Sequence, residues 1–177
     1  MGGRSETDHF CRGDEKGGGD EELHFSGVVN TDGGGFCSVR SPIPDGLPPN
    51  MGAIRLRFKG DGKTYKLTLS DGSKSAFGPS KRNPSWQFDI PTTARSDKDE
   101  QITIPLASLK PSWGGGPMSQ PSDNERKAVK FDPTSVREIG FMLSLKLSDG
   151  NSNPVETFGV GVFPFSLKIS SIESVLE

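Results

Sequence analysis

Cysteine and histidine are scarce in this sequence: among 177 residues there are two of each, at Cys11, Cys37, His9 and His24. At most one disulfide fits, the framework of a small disulfide-stapled secreted domain is excluded, and both thiols are expected to be buried and reduced. A zinc site would have to gather these residues across strands without the close paired spacing of such sites, and neither cysteine has a base beside it. No apolar run approaches the roughly 20 residues of a membrane-spanning helix. The first residues are acidic and Gly-rich rather than Arg-rich and amphipathic, so no targeting segment is visible. A formal charge of -2 gives no basic field to hold nucleic acid. Acidic residues are plentiful but scattered through turns, where sequence pairs no two of them for acid–base work. No catalytic, cofactor-binding or metal-ligating residue is therefore assigned.

What is present is turn-forming residues and alternation. Only 31% of the chain is hydrophobic, against 23 glycines and 14 prolines, a composition suited to many short strands in one domain spanning 1–177. Apolar residues recur with period two and almost nowhere with the spacing of a long helix. In AIRLRFKGDGKTYKLTL, Ile54, Leu56 and Phe58 share one face, and Tyr65, Leu67 and Leu69 resume the pattern after Gly60, Asp61 and Gly62, which predicts a hairpin. Further strands are expected at 23–29, 36–40, 86–90, 101–106, 139–147 and 163–170, with short helical turns near 105–110 and 132–137. Pro164 belongs at an edge or bulge. Residues 114–132 read as one long surface loop, and 149–154 as a second turn. The result is an all-β antiparallel sandwich whose core holds Phe25, Ile54, Leu56, Phe58, Tyr65, Leu67, Leu69, Trp86, Phe88, Ile102, Ile104, Phe141, Leu143, Leu145, Phe165 and Leu167.

Several motifs have a plain structural explanation. Gly62, Lys63 and Thr64 imitate the end of a phosphate-binding loop, but Arg57 occupies the position of its first glycine and a strand follows instead of a helix. The run at 33–35 sits between two strand candidates and reads as a hairpin loop; the runs at 17–19 and 114–116 carry no ligand signature. Trp86 shares parity with Phe88 and Ile90, which predicts burial. Trp113, between Pro111 and three glycines, fits either a cap on the core or an exposed interface anchor. Arg40 closes GGGFCSVRS just before the turn-forming Ser41 and Pro42; its guanidinium suits stapling a loop or recognising a partner carboxylate, and equally a solvated strand end. Arg40, Trp113, Arg4 and Asp61 are the candidate protein-binding or loop-stapling residues.

The strings FSGVVNTDGGGFCSVRS, GAIRLRFKGDGKTYKLTL, SWQFDIP, ITIPLASLKPSWGG, REIGFMLSLK and FSLKISSI follow one another between Phe25 and Ile172. In order and spacing they resemble the complex I intermediate-associated protein 30 family. The resemblance implies a galactose-binding-domain-like jelly roll and a non-catalytic, chaperone-like role with assembly intermediates of NADH:ubiquinone oxidoreductase. It implies a mitochondrial setting, or a plastid one as in related plant and algal proteins, and supplies no catalytic residues or cofactor. Where the family has tryptophan before its IPL-like strand, this chain has a polar stretch at 96–101, and 151–164 is expanded. Residues 1–5 resemble the interior of a family string, so the first strand is expected to be missing, 7–12 to be the next strand, and the open edge to favour self-association. The reading from another class is a carbohydrate-binding module, suggested by the sandwich and its tryptophans.

Overall fold

The computed structural model describes residues 6–12, 22–33, 35–72, 83–94, 98–113 and 121–177. Arg4, the glycine runs at 17–19 and 114–116, and the side chains of His9 and Cys11 lie outside the described residues. In chain order the strands are β1 (Glu6–Arg12), β2 (Glu22–Asn30), β3 (Phe36–Pro42), β4 (Met51–Lys59), β5 (Thr64–Ser70), β6 (Ser85–Pro91), β7 (Glu100–Pro105), β8 (Lys110–Ser112), β9 (Glu138–Ser144) and β10 (Val162–Leu176). They form two five-stranded sheets, β1-β2-β10-β4-β7 and β3-β9-β5-β6-β8. Every pairing is antiparallel. Short 3-10 turns at Leu106–Ser108 and Pro133–Ser135 fall where helical turns are expected.

The alternation explains the layering. Ile54, Leu56 and Phe58 of the first sheet and Tyr65, Leu67 and Leu69 of the second are all buried in the shared core. Phe25, Tyr65 and Phe165 meet edge-on or tilted at its centre, with ring centroids 4.8–6.4 Å apart. Cys37 is buried and free, as expected of a reduced thiol. Pro164 pairs with Val28, while β10 pairs with β4 only from Lys168 onward, so the residue without an N–H sits where the strand is laddered on one side.

Several expectations need correction. The Gly60–Asp61–Gly62 segment is not a hairpin turn, because β4 and β5 belong to different sheets; period two specifies an inward face and leaves the pairing partner open. The connection at 33–35 likewise carries the chain from β2 in one sheet to β3 in the other. Leu145 is 38% exposed: β9 ends at Ser144, and Leu145 donates its N–H to the carbonyl of Gly35 and leaves the sheet. Within 114–132 lies a helix, α1 (Asp123–Ala128), started by a reciprocal capping box between Ser122 and Glu125; Lys110, the last residue of the turn expected at 105–110, instead begins β8. Trp86, Phe88 and Ile102 are only partly buried and pack against the core from its margins.

The β4–β5 connection is held by the Asp61 carboxylate. It accepts from the Tyr65 hydroxyl at 3.0 Å and from the Ser166 N–H at 3.0 Å, and lies 3.2 Å from the Lys63 ammonium. Burial, then the Asp61 charge and hydrogen bond, raise the Tyr65 pKa and keep the phenol protonated. Gly62 adopts φ +91, a left-handed conformation that glycine allows without penalty.

Phe141→Ala should destabilise the fold by about 3–5 kcal/mol through lost burial and a residual cavity, whereas Leu145→Ala should cost less than about 1 kcal/mol because its site is already wet. Asp61→Ala should cost roughly 1–3 kcal/mol by stranding the buried Tyr65 hydroxyl. Denaturant melts of the three variants measure these differences, and equal losses for Phe141 and Leu145 would contradict the observed strand end.

Candidate functional site

With one side of each sheet committed to the core, the alternate positions face outward, and the two outward faces differ. On the first sheet the charged groups pair with one another: Lys168 with Glu22 at 2.7 Å, Arg55 with Glu173 at 3.4 Å, and Lys59 with Asp99 at 3.9 Å. The Lys168 ammonium hydrogen-bonds the Glu22 carboxyl and draws its pKa below the usual carboxylate value. Such exposed pairs contribute little to stability; within one of them Arg55 Nε is buried without a hydrogen-bond partner among the described residues.

The second sheet is built differently. Strand register places Arg40, Gly140, Thr68, Gln87 and Lys110 in one row across it, with Ser38, Met142, Lys66 and Asp89 in the next. Lys66, Thr68 and Gln87 point away from the core yet are only 6%, 8% and 8% exposed. Buried polar side chains are normally hydrogen-bonded. None of these three has a side-chain hydrogen bond among the described residues, and their nitrogen and oxygen atoms are not sealed from solvent. Burial is the dominant influence on the Lys66 ammonium and lowers its pKa; the carboxylates of Asp89 and Asp149 oppose the shift without cancelling it.

The surroundings form a frame. Gly140 has no Cβ, and one placed there would lie 2.6 Å from the Val39 carbonyl oxygen, 2.9 Å from Thr68 Oγ1 and 3.0 Å from the Arg40 stem. Glycine thus lets the Arg40 stem lie down beside Thr68. The Arg40 guanidinium reaches Glu138 at 3.4 Å, and Ser70 donates to the same carboxylate oxygen at 3.1 Å. At the other end Asp89 accepts from the Ser148 N–H and hydroxyl, which ties the 145–153 loop to β6. Asn153, 4% exposed, donates to the carbonyls of Thr64 and Ser144 at 3.0 and 3.1 Å and anchors that loop to β5 and β9. Asp89 and Glu138 are thereby engaged.

The residues singled out from sequence are not gathered here. Arg40 borders the face, with its side chain 55% exposed. Asp61 lies in the connection between sheets. Trp113 is half-buried after β8, with the Arg126 guanidinium 5.8 Å from its ring centroid. Trp86 stands between clefts of about 420 and 230 Å³, edge-on to Phe131 at 5.3 Å. Lys66, Thr68 and Gln87 escaped the sequence reading because a polar residue at every second position is the signature of an ordinary wet strand face. Among the described residues no three His, Cys, Asp or Glu side chains cluster as a metal site, and no helix is long and apolar enough to cross a membrane.

The fold is that of a galactose-binding-like β-sandwich of the kind seen in carbohydrate-binding modules. The family 11 module of the cellulosomal cellulase Lic26A-Cel5E of Clostridium thermocellum aligns over 99% of this chain and 85% of its own, at 16% identity and a TM-score of 0.62. The Clostridium thermocellum family 11 module in complex with a beta-1,3-1,4-mixed-linked tetrasaccharide aligns over 98% and 85%, at 18% identity and 0.59. A family 30 carbohydrate-binding module aligns over 99% and 88%, at 15% identity and 0.56. No curated protein matches in sequence. The family profile described as complex I intermediate-associated protein 30 matches residues 1–169, and the chain belongs to that family.

A buried cation without a contact partner is unfavourable for folding. Lys66→Met, which keeps the aliphatic stem, should raise the thermal midpoint, by about 2–4 °C for each kcal/mol of penalty removed. The folded protein releases the Lys66 proton at lower pH than the unfolded chain. In the window below the ordinary lysine pKa of about 10.4, the unfolded state therefore holds more protons and stability rises with pH. Thermal melts across that window should show the rise in the parent protein and a flatter profile in Lys66→Met.

Proposed function

We propose that this protein is a non-catalytic, chaperone-like assembly factor that holds assembly intermediates of respiratory complex I in mitochondria, using the outward face of its second sheet as the protein-binding surface. The observation that carries the reading is the family match over residues 1–169. The face supports it physically, because three largely buried polar side chains without internal partners among the described residues keep solvent-reachable hydrogen-bonding atoms that a bound protein would engage. On the first sheet most outward charges are paired with one another, and Arg55 Nε is the polar atom left buried without a hydrogen-bond partner among the described residues of that face. Binding here requires no chemistry: the sandwich presents the face on central strands β9, β5 and β6, and the Asp89–Ser148 and Asn153 bonds hold its bordering loop in place.

Tagged protein expressed at native level should co-purify with complex I subunits in sub-assemblies smaller than the finished enzyme, resolved by native gel and mass spectrometry. Recovery of no complex I subunit would overturn the reading. Retention on a mixed-linked glucan column without any such subunit would replace it with a carbohydrate-binding module.

A further inference from the structure

Lys66, Thr68 and Gln87 also indicate what chemistry the bound partner brings. Lys66 and Thr68 are two positions apart on β5 and so share its outward side, and Thr68 is in register with Gln87 on β6. The three offer an ammonium, a hydroxyl and an amide, all able to donate to one oxyanion. The acidic neighbours are engaged with other groups: Asp89 accepts from Ser148, Asp149 from Asn151, and Glu138 from Arg40 and Ser70. Lys66 forms no ion pair within 4.0 Å among the described residues; the Asp89 and Asp149 carboxylates act on its charge from farther off without offsetting the cost of its burial. A neutral polyol would satisfy the hydroxyl and amide but leave the ammonium without a contact ion pair, whereas a carboxylate answers all three.

Position selects the kind of carboxylate. β5 is the central strand of its sheet, with β9 and β3 on one side and β6 and β8 on the other. A chain crossing this face between Arg40 and the 145–153 loop passes over the trio in mid-course, where a side chain can reach down and a chain terminus is absent. We propose that Lys66, Thr68 and Gln87 form a seat for an acidic side chain, glutamate or aspartate, on a segment of the partner lying across the second sheet. This assignment rests on the protein-binding reading and adds the chemical identity of the group recognised.

The test is a titration of lysine-labelled whole protein, followed by the Lys66 side-chain NMR signal and the amide signals of Gln87 and Thr68. The probes are an end-blocked Gly-Ser-Glu-Ser-Gly peptide, its glutamine counterpart, the glutamine peptide with a free C-terminal carboxylate, and a neutral mixed-linked tetrasaccharide. The glutamate peptide should move all three signals, and the blocked glutamine peptide should bind roughly tenfold or more weakly. Lys66→Met should erase the difference between these peptides. Gln87→Glu, which supplies Lys66 with an internal carboxylate, should do the same while keeping the cation.

Equal responses to the two blocked peptides, no response to any probe, preference for the free terminus, or movement by the tetrasaccharide alone would each overturn the seat. If tagged parent protein recovers complex I subunits while the glutamate peptide gains no preference, the seat fails and the assembly role survives. Glutamate selection without recovery of those subunits has the reverse meaning.

Discussion

The Asp61 carboxylate joins the two sheets where the chain passes between them, and the sandwich closes around that junction. One oxygen holds the Tyr65 hydroxyl, which arrives from the second sheet through the core; the other holds the Ser166 N–H on β10 of the first. Tyr65 is fully buried beside Phe25 and Phe165, so its hydroxyl has no water to turn to and its hydrogen bond must be supplied by protein. Fixing that phenol orients Tyr65 within the aromatic cluster, at the centre of a core whose inward sides are set by the alternation along each strand.

Once the inward sides are committed, the outward ones inherit whatever the intervening residues bring. On the first sheet these are charges of both signs whose pairings meet their own electrostatic requirements. On the second, Arg40 folds its stem over Gly140, the 145–153 loop is drawn to β6 by Asp89, and the side chains between them are buried without being bonded. That arrangement sacrifices some stability, since a desolvated ammonium opposes folding. Strain of this kind persists where surrounding structure enforces it, as at binding sites. Membership in the complex I intermediate-associated protein 30 family gives such a surface a biological context, while the likeness to carbohydrate-binding modules at 15–18% identity concerns the fold.

The alternation of apolar residues by itself determined the all-β class, the positions of most strands and most of the core, because side chains along a strand change sides at every residue whatever it pairs with. It marked Asp61 and Arg40 as residues worth locating, through their turn and strand-end contexts. Pairing it could not determine: the segments around Gly60–Gly62 and 33–35 look like hairpins in sequence, yet each links one sheet to the other, since a strand satisfied on its inward face can ladder with any neighbour of matching register. The end of β9 was equally hidden, because Leu145 and Leu147 continue the pattern after the backbone has turned toward Gly35. Tertiary structure alone decided the site. Lys66, Thr68 and Gln87 are spaced as solvent-facing residues of ordinary strands, and only the packing of neighbouring strands and loops covers most of their surface while giving them no side-chain hydrogen bond within the described residues.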